Sequence, residues 1–251
     1  MPRFPGVDYM QFDSLLSEQE LMVRQTARQF VDERVVPIIR DAFNTATFPK
    51  QLIPEMAALG FFGANLEGYG CAGMNNVEYG LIMQEIERGD SGLRSFVSVQ
   101  GALVMYPIHS FGSEEQKQQL LPKLQSGEAI GCFGLTEPGF GSNPSGMRTT
   151  AEKRGDEWVL NGEKTWITSG SLADVAIVWA RTSEGIRGFL VERGTRGYST
   201  SDIHGKLSMR ASVTSSLHFA DCVIPQENQL PCAKGLRAAL SCLSQARFGI
   251  G

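Results

Sequence analysis

The hydrophobic pattern of this 251-residue chain predicts an α+β fold. An all-α domain is expected over 1–130 and a small β-barrel or β-sandwich domain over 131–232. The first helix of a C-terminal helical domain is expected over 233–251. Three observations predict this. Apolar residues recur at helical spacing as far as Leu124, the period drops to two after Gly131, and from Leu236 it is helical again.

Ser17-Glu18-Gln19-Glu20 reads as a capping box, with Ser17 as N-cap and Glu20 three residues on. Val23, Ala27, Phe30 and Val31 then share one helical face, and Pro37 marks a kink or boundary. Leu52 to Leu59 forms a second helix that Gly60 ends. A third covers 75–88 and stops at Gly89. Asp90 or Ser91 caps a fourth that runs to about Ser110, and Gly112-Ser113-Glu114-Glu115 opens a fifth through Leu124. In the β half, Trp158 to Leu160 and Glu163 to Thr168 flank Asn161-Gly162, the usual pair for a two-residue type I′ hairpin turn. Val175 to Ala180 and Ile186 to Val191 predict two further strands around a turn at Ser183-Glu184-Gly185, and Ser212 to Cys222 alternates again. A last helix starts near Ala233 and is still running at the final residue. It either packs back on the N-terminal helices or opens a further helical domain.

Composition narrows the function classes. A net charge of −4 argues against a nucleic-acid binder, and no apolar run approaches the roughly 20 residues of a membrane span. Met1-Pro2-Arg3-Phe4-Pro5 has neither the apolar core of a signal peptide nor an Arg/Ser-rich presequence. A cytoplasmic location is expected, or the mitochondrial matrix if a presequence has been removed. The five cysteines, at 71, 132, 222, 232 and 242, are scattered without metal-ligand spacing, so reduced thiols are expected, with no zinc site. His109, His204 and His218 lie in no catalytic pattern.

Gly139-Phe140-Gly141-Ser142 is neither a Walker loop nor a Rossmann fingerprint. By composition it reads first as a plain loop between helix and sheet. Its surroundings are more specific. Leu135-Thr136-Glu137-Pro138, Gly141-Ser142 and Trp166-Ile167-Thr168 stand in the order and spacing of a flavin-binding signature. By these motifs the chain resembles the acyl-CoA dehydrogenases over nearly its whole length. It is similar to glutaryl-CoA dehydrogenase in particular, at Tyr69-Gly70-Cys71-Ala72-Gly73, Glu87-Arg88, Asp90-Ser91-Gly92, Arg94-Ser95, Ser98-Val99-Gln100, Gly205-Lys206, Arg210-Ala211-Ser212 and Ala246-Arg247-Phe248-Gly249-Ile250.

The resemblance implies FAD as cofactor, held by Phe133, Gly134, Leu135, Thr136, Gly141, Ser142, Trp166, Ile167 and Thr168. Trp166 alternatively reads as strand core; its sheet face is shared by Thr168, two residues on. The implied substrate is a short-chain acyl-CoA, most specifically glutaryl-CoA, dehydrogenated at its α,β bond and decarboxylated to crotonyl-CoA. Arg94 would grip the distal carboxylate, since a planar guanidinium binds a carboxylate through two parallel bonds. Spacing alone would instead pair Arg94 with Asp90 at i,i+4. Ser95 would add a hydroxyl, and Glu87, otherwise a solvated helix end, would tune the site. Ser142, Leu240, Leu243, Ser244 and Arg247 would meet the thioester arm. Two residues depart from the family pattern: Asn143 replaces an aspartate, and Phe140 replaces a small residue. The family's glutamate base lies beyond residue 251, so the 251 residues are expected to be an N-terminal piece that binds FAD weakly and does not turn over. Full length, the resemblance implies a homotetramer that passes electrons to electron-transfer flavoprotein. The competing readings are a dehydrogenase of another short-chain acyl-CoA, and a truncated, non-catalytic relative that serves as an interaction module.

Overall fold

The computed structural model describes residues 9–251, so the N-terminal pentapeptide reading and residues 1–8 of the first domain lie outside it. Helix α1 (Glu18–Phe30) starts at the predicted capping box: Ser17 Oγ accepts from the Glu20 amide, and Glu20 accepts from the Ser17 amide. A π-helical stretch, Val31–Val35, leads without a break into α2 (Val36–Thr45), and Pro37, which has no N–H, stands where the helix switches from π to α hydrogen bonding. Helix α3 (Ile53–Ala58) ends at Gly60, which takes the left-handed conformation expected of a helix stop. Helix α4 (Asn76–Gly89) carries a capping box of its own on Asn75 and Glu78. Of the two candidate caps for the next helix, Asp90 does the work by accepting from the Leu93 amide. The predicted fourth helix is α5 (Ser91–Ser98), a π-helical stretch Val99–Met105, and α6 (Tyr106–Phe111) in series. Ser113 caps α7 (Glu114–Gln125).

The β half is one curled, seven-stranded sheet, the barrel-like form of the prediction. Its strands are β1 (Gly131–Gly134), β2 (Thr150–Arg154), β3 (Glu157–Thr168), β4 (Val175–Thr182), β5 (Gly185–Glu192), β6 (Tyr198–Asp202) and β7 (Thr214–Pro225). They lie in the order β1-β4-β2-β3-β7-β6, and β5 pairs with β4. Strand β4 shows why both faces are dry. Val175, Ile177 and Trp179 join the core shared with the helices, while Ala176, Val178 and Ala180 join a second core inside the curl. Its near-continuous apolar run follows. Short β1, β2 and β6 gave no sequence signal.

The Asn161-Gly162 hairpin does not exist. β3 runs straight through these residues, and the true two-residue turn is Gly155-Asp156, between β2 and β3. Asn-Gly instead serves a bulge. Between Leu160↔Cys222 and Gly162↔Phe219 the ladder holds one residue of β3 against two of β7. The Asn161 side chain fills the gap, accepting from the Asp221 amide at 2.8 Å. Gly162, at φ 144°, lets the Thr149 backbone come close: a Cβ there would sit 2.7 Å from Thr149 Cα. Gly162→Ala is therefore expected to destabilise the protein by about 2–3 kcal/mol, read as a lower urea midpoint at unchanged m. A midpoint within error of the wild type would refute the close approach.

Helix α8 (Gly235–Phe248) packs back on the helical half, burying Ala238, Ala239, Cys242 and Ala246. Phe248 stacks on Tyr79 of α4, with ring centroids 6.2 Å apart. All five cysteines are unpaired, and burial pushes the thiols of Cys132, Cys222 and Cys242 up. Among the described residues no helix is long and apolar enough to cross a membrane, and no His/Cys/Asp/Glu group could hold a metal ion.

Candidate active site

Helix α8 borders two cavities. The first, of ≈ 270 Å³, lies between α8, the π-helical stretch Val99–Met105 and the sheet, and brings together residues from Val99 to Arg247. Phe133, Leu135, Thr136, Gly141, Ser142, Trp166, Ile167 and Thr168 line it from the β side, and Leu240, Leu243 and Arg247 from α8. Val99, Leu103 and Pro144 complete the wall. Sequence reasoning missed these three, although Val99 and Leu103 stand at the i,i+4 spacing of one helical face. Gly134 faces away. Strand alternation turns it toward Leu217 and Lys164 on the opposite side of the sheet from Phe133 and Leu135. Ser244 spends its hydroxyl on the Leu240 carbonyl of its own helix and lines neither cavity.

Trp166 is presented by a second bulge. Between Lys164↔Leu217 and Ile167↔Ser215, two residues of β3 oppose one of β7. The extra residue throws Trp166 into the left-handed region at φ 61°, an uncommon conformation for a bulky side chain. Its indole is 63 % exposed rather than packed in the core. Trp166 and Thr168 do meet one cavity, but a bulge puts them there and not plain alternation. Gly141 lines the same cavity, and a Cβ on it would touch nothing within 4 Å; Gly139 is equally open but borders a separate hollow with Glu137, Phe140 and Gly162. The bulky Phe140 leaves that opening clear. It folds back on Gly146, where a Cβ would clash with the ring, and lies under the Arg148 guanidinium at 5.4 Å. Asn143 stays within the loop, accepting from the Ser145 hydroxyl.

Behind the cavity lies a buried ion pair. Lys164 Nζ is fully buried and donates to Glu137 Oε1 at 2.8 Å and to the Leu135 carbonyl at 3.2 Å. Glu137 also accepts from the backbone amides of Arg148 and Thr149. Burial alone would push this carboxyl up, but the Arg148 amide, Lys164 and Thr149 outweigh it and hold it at about 2. A carboxylate so held is a poor proton acceptor, which removes Glu137 from consideration as a base. Burial draws Lys164 below the ordinary lysine range.

The second cavity, of ≈ 500 Å³, lies between α4 and the end of α8. Glu87, Arg94, Met83, Val77, Phe248 and Gly249 are among its lining residues. Arg94 does not pair with Asp90, which is spent on its cap. Its Nε donates to Glu87 Oε2 at 2.7 Å across the break between α4 and α5. The two terminal nitrogens, the fork that grips a carboxylate, have no partner among the described residues. Burial raises the Glu87 carboxyl, but the Ser91 hydroxyl and Arg94 lower it further, leaving it an anion. Ser95 is half-buried and lines neither cavity.

Residues 17–128 match the family model for the acyl-CoA dehydrogenase N-terminal domain, and residues 132–222 match that for the middle domain. The chain belongs to the acyl-CoA dehydrogenase family. Acyl-CoA dehydrogenases are FAD-dependent oxidoreductases. The rat mitochondrial short-chain specific acyl-CoA dehydrogenase is 38 % identical over 94 % of this chain and 59 % of its own length. Among solved structures, a glutaryl-CoA dehydrogenase from Mycobacterium smegmatis in complex with FADH2 is 57 % identical. It superposes with a TM-score of 0.94 over 95 % of this chain and 62 % of that one. Butyryl-CoA dehydrogenase from Megasphaera elsdenii is 34 % identical with a TM-score of 0.89, over 94 % of this chain and 64 % of that one. The chain thus spans about six-tenths of the length of these acyl-CoA dehydrogenases.

Proposed function

We propose that this chain forms the flavin- and thioester-binding part of an FAD-dependent acyl-CoA dehydrogenase whose substrate is glutaryl-CoA. One observation carries the first half of this reading: the cavity that gathers Thr136, Ser142, Trp166 and Thr168 opposite Leu240, Leu243 and Arg247. These residues fit a flavin. An exposed indole offers a face to a planar ring, three hydroxyls offer hydrogen bonds, and the bare Gly141 leaves the backbone open to close approach. When bound, FAD supplies the hydride acceptor for α,β-dehydrogenation of an acyl thioester. The chain's own task is to bind and orient. The sheet side fixes the ring, α8 fixes the thioester arm, and the apolar wall of Val99, Leu103 and Leu135 excludes water.

Arg94 carries the choice of substrate. Arg94 lines the second cavity, where its unpartnered terminal nitrogens would offer a distal carboxylate a bidentate partner. Glutaryl-CoA dehydrogenated here would lose that carboxylate to give crotonyl-CoA. A second reading, dehydrogenation of a short-chain monocarboxylic acyl-CoA, is favoured by the Glu87–Arg94 ion pair, which balances the guanidinium without help from substrate. We further propose domains at 1–130, 131–232 and 233–251, a cytoplasmic homotetramer, and electron-transfer flavoprotein as electron acceptor.

The test is a titration of the purified chain with FAD, followed by flavin fluorescence. Weak but saturable binding of one FAD per chain is expected, with glutaryl-CoA then perturbing the flavin spectrum more than butyryl-CoA does. A folded chain that binds no flavin would overturn the reading in favour of a non-catalytic interaction module. A stronger response to butyryl-CoA would favour the second substrate reading.

A further inference from the structure

Lys164 is a fully buried lysine that touches neither cavity, yet it sits one residue from the Thr165–Trp166 bulge. Its ammonium reaches across to the loop after β1, bonding the carbonyl of Leu135 and the carboxylate of Glu137. Between those two anchors lies Thr136, and its carbonyl accepts from the amide of Thr165 at 2.9 Å. The carboxylate of Glu137 is in turn fixed by the amides of Arg148 and Thr149, at the far end of the glycine loop. One side chain therefore gathers both ends of the 137–149 loop and locks them to the strand that carries Trp166 and Thr168.

We infer that Lys164 is a positioning residue: its ammonium, through Glu137, fixes Thr136 and the glycine loop against the bulge that presents Trp166, and so sets the geometry of the flavin cradle. The inference rests on the flavin reading of that cavity. Physical reasoning favours position over stability as the purpose of the pair. Replacing a buried ion pair by neutral groups of similar volume is often neutral or stabilising, so the pair is a weak source of stability. It is a strong source of geometry, because a buried ammonium left unpaired is severely penalised in any other arrangement.

The test uses the double variant Lys164→Met/Glu137→Gln, which removes both charges, leaves no ion unpaired and keeps an acceptor for the loop amides. Lys164→Met alone, which strands Glu137, serves as the destabilised control. Two readouts are needed. In the flavin-free chain, amide hydrogen exchange at Thr165 and Thr149 is expected to speed up at least tenfold in the double variant, while Ile177 in β4 exchanges as in the wild type. In the flavin titration, FAD is expected to bind at least tenfold more weakly, with an altered visible spectrum. A double variant that melts like the wild type, keeps slow exchange at Thr165 and binds FAD within twofold would overturn the inference. If the wild-type chain binds no flavin, the cofactor reading fails, and the exchange measurement still decides whether Lys164 fixes the loop.

Discussion

Substitution of Arg94 by methionine is expected to weaken glutaryl-CoA binding to the flavin-loaded protein by about 10²–10³-fold, and butyryl-CoA binding by less than about threefold. The magnitude follows from removing one partner of a desolvated, hydrogen-bonded charge pair, worth about 2–5 kcal/mol. The selectivity follows from geometry. Arg94 keeps only 12 % of its side chain exposed, and Glu87 already occupies Nε, so the guanidinium is held in one orientation before any ligand arrives. Pre-organisation of this kind spares the ligand the entropy of ordering a long side chain. Methionine preserves the volume and the packing against α4 while deleting the fork. Glu87, nearly half exposed, remains solvated without its partner, so the variant should fold. Arg94→Lys keeps the charge but not the two parallel donors, and should fall between the two. Isothermal calorimetry with both thioesters makes the comparison. Equal losses for the two ligands would show that Arg94 acts on the fold rather than on a carboxylate, and would leave the monocarboxylic reading standing.

A second large effect is expected at Gln100, a residue that lines neither cavity. Its buried amide makes three hydrogen bonds: Nε2 donates to the carbonyls of Leu124 and Ala129, and Oε1 accepts from the Gly131 amide. These join the π-helical stretch, the end of α7 and the first residue of β1, which is where the helical half meets the sheet. Gln100→Leu keeps most of the volume and strands the Gly131 amide and the Ala129 carbonyl, while the Leu124 carbonyl keeps the Gly127 amide. Each buried unsatisfied group costs about 1–3 kcal/mol, so a loss of about 4 kcal/mol is expected after partial relaxation, measured by urea unfolding. Gln100→Glu keeps the acceptor for Gly131 but faces a carboxylate to two carbonyls, and should be no better. Gln100→Ala opens a cavity as well and should be worse than leucine. A loss below about 1 kcal/mol for Gln100→Leu would mean that water replaces the amide at this junction. Val99 is its neighbour and Leu103 lies one turn on, so the same substitution should disturb the wall of the first cavity.

Features set by near neighbours along the chain were legible without coordinates. The capping box at Ser17, the helix start at Ser113, the Gly60 stop, the switch of period at Gly131 and the helix after Leu236 are such features. Each depends on residues within four positions of one another, where side-chain chemistry and backbone geometry leave few alternatives. Much of the candidate site was also legible, because the motif around Thr136 and the one around Trp166 keep their order and spacing. Features that depend on segments distant in sequence were not. Asn161-Gly162 has the chemistry of a turn, yet it became a bulge because β7 pairs across it and Thr149 closes on the glycine. Arg94 had an obvious partner at i−4, but Asp90 was taken by a cap and Glu87 came within reach only where the chain breaks between two helices. Lys164 gave no signal of its own, since its partner lies 27 residues away and only the folded loop brings them to 2.8 Å. The sequence by itself determined the family, the helices, the longer strands in outline and the residue types of the site. The tertiary structure decided which of those residues face a common cavity and which charges pair, because burial and distance in space arise only when remote segments pack.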